Sequence, residues 1–190
     1  MFSKTFRSFS IAKQTAFLAV FIAASVVANS YLNIDVTPSN KITFSYFVCF
    51  FAGFLLGPFP GFIVGILGDA IGFLLVPSGV YWLFGLTLGL YGFFAGFLMN
   101  FIPGEGKKWL YGKAAITFIV CFVLITCITN SLVNYYYLYI FIWDGVYKKA
   151  FWVWLGGRLA FQSVVYAINM VLCYIVLPFS VRIKAFQNLV

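Results

Sequence analysis

The chain has 190 residues, of which 64% are hydrophobic and 8% charged, and its mean hydropathy is +1.04. A soluble core of this length cannot bury that much apolar surface, so the class is integral membrane protein. The formal net charge of +8 comes from bases scattered at the ends of apolar runs, where they set topology and meet anionic lipid, and it does not indicate nucleic acid. The chain has no histidine, which excludes His-based metal sites and His general-base catalysis.

Apolar runs predict an all-α integral membrane protein: one domain over 1–190, a compact bundle of six transmembrane helices at 11–32, 44–57, 61–77, 82–102, 114–139 and 152–179. Lys4, Arg7 and Lys13 precede the first run as in a secretory signal, but Ile11–Tyr31 is long enough to span and further spans follow. This first helix carries Ala12, Ala16, Ala19 and Ala23 on one face, with Ala24 and Ala28 as a neighbouring pair. Such a stripe suits packing within the monomer or docking of a separate membrane subunit. The second and third segments are short, and Gly57-Pro58-Phe59-Pro60-Gly61 between them reads as a tight turn.

Glycines recur at four-residue spacing from Gly53 to Gly65 and again in the pairs Gly68–Gly72, Gly85–Gly89 and Gly92–Gly96, which suits close helix approach. The fifth helix holds Thr126, Thr129, Asn130, Ser131 and Asn134. The sixth places Arg158, Gln162, Val165 and Asn169 on roughly one face, which is therefore expected to look inward. Cys49, Cys121, Cys127 and Cys173 lie in apolar runs without a CxxC pair and read as small packing residues.

Lys4, Arg7, Lys13, Lys107, Lys108, Lys113, Arg182 and Lys184 fall on one side of this topology, and only Lys41, Lys148 and Lys149 on the other. The positive-inside rule then puts both termini in the cytoplasm, with outer loops near 33–43, 77–82 and 140–151.

Apart from Lys13 at the very start of the first span, two charged residues lie within the spans: Asp69, mid-helix in Gly68-Asp69-Ala70-Ile71-Gly72, and Arg158, near the outer end of the sixth helix. A charge at mid-bilayer costs roughly 2.5–3.5 kcal/mol on insertion scales, and such residues face a cavity, a partner or a substrate. Asp69 and Arg158 are thus either a structural ion pair or contacts for a polar ligand in an outward-facing pocket. One intramembrane acid cannot form a carboxylate dyad, and Gly104-Glu105-Gly106-Lys107-Lys108 lacks the spacing and the hydroxyl of a P-loop. No enzyme activity, metal or cofactor is expected.

A small, basic, six-span chain with an alanine-rich first helix resembles the substrate-capture (S) component of an energy-coupling factor (ECF) transporter. Lys41-Ile42-Thr43-Phe44-Ser45, Gly57-Pro58-Phe59-Pro60-Gly61, Gly68-Asp69-Ala70-Ile71-Gly72 and Pro77-Ser78-Gly79-Val80-Tyr81 resemble its folate-specific branch. The resemblance implies a multi-pass protein of the bacterial plasma membrane that binds folate from outside as a transported ligand. It also implies a shared module, formed by a transmembrane coupling subunit (EcfT) and two ATPases (EcfA and EcfA′), to which ATP chemistry falls. An AxxxA motif in the first helix is the docking surface of that family. Ala19 and Ala23 match it best, and Ala12–Ala16 and Ala24–Ala28 share the spacing.

For folate, Asp69 is expected to accept two parallel hydrogen bonds from the pterin edge, where a 2-amino group sits beside a ring nitrogen. Arg158 is expected to donate to the pterin carbonyl or to a carboxylate. Asn134 and Gln162 are expected to satisfy remaining polar atoms. Tyr81, Trp82 and Phe84, beside the second outer loop, and Tyr139 and Trp143, beside the last, are candidate aromatic walls; interfacial anchoring is the competing role for each. Lys41, with Thr43 and Ser45, is placed to attract the glutamate tail.

Overall fold

The computed structural model describes residues 3–37, 40–77, 80–104 and 106–182; Ser78, Gly79, Glu105 and Lys184, named above, lie outside them. Without water to satisfy the backbone, a chain in lipid closes its hydrogen bonds within helices, and the apolar runs do so here. The elements are α1 (Lys4–Arg7), α2 (Ile11–Ser30), β1 (Ile34–Thr37), β2 (Asn40–Ile42), α3 (Ser45–Leu56), α4 (Pro58–Leu75) and α5 (Phe84–Phe101). A long rod follows, made of α6 (Lys107–Cys121), a π-helical stretch Phe122–Asn130, α7 (Ser131–Tyr137) and a second π-helical stretch Leu138–Ile142. The chain then enters α8 (Phe151–Arg182). Among the described residues, five helices are long and apolar enough to cross a membrane, and α3 is a shorter apolar helix.

The boundaries depart from the sequence reading in three places. The expected turn over 57–61 shrinks to Gly57, whose φ of +115° suits glycine; Pro58 opens α4 directly. Proline is tolerated in the first turn of a helix because N–H groups there have no intrahelical partner, so Pro60 does not interrupt α4 either. The first outer loop is not wholly irregular: β1 and β2 pair antiparallel, Ile34 opposite Ile42 and Asp35 opposite Lys41, with a bulge between Asp35 and Thr37. The spanning elements among the described residues are all helical, as expected for an all-α membrane protein, and this small hairpin is a loop feature that closes its backbone bonds locally. Finally, the rod through α6 and α7 overruns the expected 114–139 at both ends. The stretch Lys108–Ile142 has 35 residues, at most about 52 Å at the α-helical rise of 1.5 Å per residue and less where it is π-helical, which still exceeds a hydrocarbon core of about 30 Å.

The bundle is tied together at glycines. α4 packs most extensively against α5, α3 against α5, and α2 against α4. A methyl added at Gly61 would sit 2.7 Å from the Cα of Gly53 and from the Gly92 oxygen, and one at Gly65 would sit 2.5 Å from the Leu88 oxygen and Gly89 nitrogen. The recurrent glycines of α3, α4 and α5 therefore serve direct backbone contact. Gly65→Ala is expected to separate α4 from α5 at a cost of about 1–3 kcal/mol, as overpacking does. A lowered midpoint of thermal unfolding in detergent would show it; an unchanged midpoint would mean that the crossing yields freely.

The core is aromatic. Phe50, Tyr91, Tyr46, Tyr166 and Phe118 are buried together, with Tyr46 4.6 Å from Tyr166 and 5.1 Å from Tyr91 between ring centroids. At the opposite end of α3 from the hairpin, the Ser3 hydroxyl donates to the Leu55 carbonyl at 2.8 Å, and Phe6 is buried in the core.

Candidate functional site

A cavity of about 560 Å³ opens at the hairpin end of the bundle, within the range of small-molecule sites. α4 contributes Asp69 and α8 contributes Arg158 and Gln162. The rod contributes Asn130, Asn134 and Tyr137, and the α4–α5 connection with the start of α5 contributes Tyr81, Trp82 and Phe84. The hairpin strand β2 adds Lys41.

Asp69 is 8% exposed and Arg158 4%. They line one cavity but are not each other's partners. The Asp69 carboxylate accepts from the Asn29 side-chain amide at 2.8 Å and from the Tyr81 hydroxyl, and the charge of Lys41 acts on it. The Arg158 guanidinium lies over the Trp154 ring, 5.4 Å from its centroid, and interacts electrostatically with Tyr46. The structural ion pair is thus replaced by two separately supported charges of opposite sign in one chamber.

Tyr81 reaches Asp69 because residue 85 is glycine: a methyl there would lie 2.8 Å from the Tyr81 hydroxyl and 3.1 Å from Asp69 Oδ2. Tyr81 also packs on Phe73 at 5.1 Å. Its phenol is pushed up from its usual value by burial, then by the Asp69 charge and the bond to it, so it stays protonated as a donor.

Several polar atoms await a partner. Asn134 Oδ1, Gln162 Oε1 and Trp82 Nε1 are buried and have no hydrogen-bond partner among the described residues. All three residues line the cavity, and an unpaired buried group costs about 1–3 kcal/mol. A polar ligand would relieve that cost. Below them, Asn130 donates to the Tyr46 hydroxyl at 3.3 Å and Thr126 to that of Tyr166 at 2.6 Å, so the floor is a hydrogen-bonded aromatic layer. The first π-helical stretch is held by hydroxyls reaching five residues back, Thr129 to Leu124 at 3.0 Å and Ser131 to Thr126 at 2.7 Å. π-Bulges of this kind cluster at functional sites.

The aromatic walls sort into two groups. Trp82 contacts Phe141 at 5.4 Å and Phe84 contacts Tyr137 at 5.3 Å, both on the cavity. Tyr139 and Trp143 are placed elsewhere: Tyr139 stacks on Tyr147 at 4.3 Å, and Trp143 joins a satellite cluster with Tyr135, Leu138 and Trp154. Through Trp154 that cluster backs Arg158 without reaching the chamber. Ser45 is fully buried behind the wall, within hydrogen-bonding reach of Asn29.

Sequence reasoning missed the contribution of α2. Asn29, Ser30 and Asn33 line the cavity. Polar residues at positions 29 and 30, at the end of an otherwise apolar helix, and at 33, just beyond it, are the available signal. On the same helix Ala12, Ala16, Ala19 and Ala23 are exposed, whereas Ala28 is buried at 2%, so the Ala24–Ala28 pair does not present an open face.

Fold and site together define a multi-pass membrane protein with a cavity of small-molecule size, lined by polar and aromatic side chains, within its helical bundle. The chain belongs to the family of ECF-type riboflavin transporter S components, whose model matches residues 9–184. Among solved structures it is similar to FolT bound with folic acid, with 26% sequence identity and a TM-score of 0.68, covering 86% of this chain and 93% of that one. No curated protein sequence matches the chain. That family is one of transporter S components, not an enzyme class.

Proposed function

We propose that this chain is the folate-binding S component of an ECF-type vitamin transporter in the bacterial plasma membrane. It takes folate from outside and delivers it through a shared module of the coupling subunit EcfT and the ATPases EcfA and EcfA′. The observation that carries the reading is the Asp69 carboxylate in the cavity wall. A carboxylate has about four lone-pair sites; Asn29 and Tyr81 occupy two, which leaves room for two more donors. The pterin edge offers two adjacent N–H donors, the pattern that a carboxylate accepts in parallel. The flavin edge alternates carbonyl, N–H and carbonyl, and would turn two acceptors toward an acceptor. The likeness to folate-bound FolT supports the same choice, while the name of the family keeps riboflavin as the alternative.

The remaining parts fit the rest of the molecule. Arg158 faces the pterin carbonyl or a carboxylate, Asn134 and Gln162 offer acceptors to further N–H groups, and Trp82 and Phe84 bound the flat rings. Lys41, at the rim, draws the anionic tail, and its contribution falls with salt. The distribution of lysine and arginine supports cytoplasmic termini and an outward-facing cavity mouth.

The test is titration of the detergent-purified chain with folate, riboflavin and thiamine, followed by tryptophan quenching, for which Trp82 in the cavity wall is the reporter. Saturable binding of folate alone is the expected result. Binding of riboflavin alone would keep the transporter and overturn the ligand. Binding of none by folded protein would overturn both.

A further inference from the structure

Asn29 joins the cavity to the hairpin by a chain of hydrogen bonds whose direction can be worked out. Its amide nitrogen donates to Asp69 Oδ1 at 2.8 Å, so its oxygen faces the other way, where the Ser45 hydroxyl donates to it at 3.3 Å. Ser45 has then spent its only proton. The 2.8 Å contact between the hydroxyls of Thr43 and Ser45 must therefore be a donation from Thr43 to Ser45. Thr43 in turn accepts from the Ser45 backbone N–H at 3.1 Å, and its carbonyl accepts from the Asn169 amide at 2.8 Å. Every hydroxyl and amide in the relay points its proton toward Asp69, and such aligned chains polarise one another.

We infer that Asn29 is a positioning residue of the ligand site: it locks the Asp69 carboxylate as a pure acceptor, and through it the relay from Thr43 and Ser45 selects a ligand edge made of two N–H donors. Its amide nitrogen holds the carboxylate and its oxygen holds the Ser45 hydroxyl, and through that bond it acts on Asp69. The amide cannot turn over without setting its oxygen against the carboxylate and its nitrogen against the Ser45 proton. The Asp69 side chain is thereby held in one orientation, as recognition of a planar edge by two parallel bonds requires. This inference rests on the folate reading given above.

The experiment compares folate with the analogue lacking the 2-amino group, on wild type, Asn29→Ala and Ser45→Ala, by titration in detergent. Asn29→Ala is expected to weaken folate binding by roughly tenfold, the size of one lost hydrogen bond to a charged group. The analogue, which cannot use both acceptors, should lose no more than about twofold, so discrimination between the two ligands collapses. Ser45→Ala frees the amide without removing it and should act in the same sense by a few-fold; it also carries the test where Asn29→Ala does not fold. Equal losses for both ligands, or unchanged folate binding in the variants, would overturn the role of Asn29 while leaving the folate reading standing. Failure of the wild type to bind folate would remove that reading and this inference with it.

Discussion

Asp69→Asn is expected to weaken folate binding by about two to three orders of magnitude while the protein still extracts and folds. The effect follows from what the amide cannot do. The carboxylate is 8% exposed, accepts from Asn29 and Tyr81, and keeps further lone pairs toward the cavity. Hydrogen bonds to a charged group contribute about 1.5–3 kcal/mol each, and a factor of ten corresponds to about 1.4 kcal/mol. In asparagine one oxygen becomes a donor. It must face either the Asn29 or Tyr81 donor or an N–H of the ligand, so at least one of the two parallel ligand bonds is lost and the other loses its charge. Folding should not suffer, because a neutral amide costs less to insert in a bilayer than a carboxylate, and Arg158 has Trp154 and Tyr46 beside it and does not depend on Asp69. Titration and thermal unfolding of the same preparation check both halves. Binding within a few-fold of wild type would remove Asp69 as the ligand acceptor, and a variant that cannot be extracted would make its role structural.

How much of this was legible beforehand depends on the kind of signal. Helices in lipid announce themselves by length and hydropathy, and an aspartate and an arginine among apolar residues are conspicuous because their placement is costly. Both were visible in the sequence, as were Gln162 and Asn134 through their helical spacing. Signals without an energetic penalty were harder. Asn29 is neutral and sits at the end of α2, where an amide faces water without cost; only the fold brings it 2.8 Å from Asp69. Gly57-Pro58-Phe59-Pro60-Gly61 looked like a turn because prolines break helices. The structure uses the one region of a helix where they do not, and a single glycine makes the break. Tyr139 and Trp143 looked equivalent to Tyr81 and Trp82, since aromatics beside outer loops share one composition. What separates them is which side of the rod each faces, and two π-helical stretches, invisible to a period of 3.6, set that.

The same helix that contributes Asn29 carries the second large effect. Ala19→Trp and Ala23→Trp are each expected to abolish ATP-driven folate uptake while leaving folate binding in detergent unchanged. At 100° per residue, Ala12, Ala16, Ala19 and Ala23 fall within about 60° of one another, on the side of α2 opposite Ser25. Ser25 is the buried side: it faces Gly68 of α4, where an added methyl would collide with its hydroxyl. α2 therefore packs into the bundle along one face and leaves the alanine face open, all four residues being exposed. Small side chains on an open face allow a second helix to approach closely by van der Waals packing, and a Trp indole would hold the two apart. Neither position touches the cavity. Ala19 is ten residues from Asn29, about 15 Å along the axis, so the Asn29–Asp69 bond is undisturbed and a Trp there meets only lipid in the isolated chain. The decisive comparison is uptake into vesicles that hold the chain together with its coupling subunit and ATPases, set against titration of the same variants alone. Normal uptake by both would remove this face as the docking surface, and loss of binding would show that the indole disturbs α2 itself and with it the site that Asn29 supports.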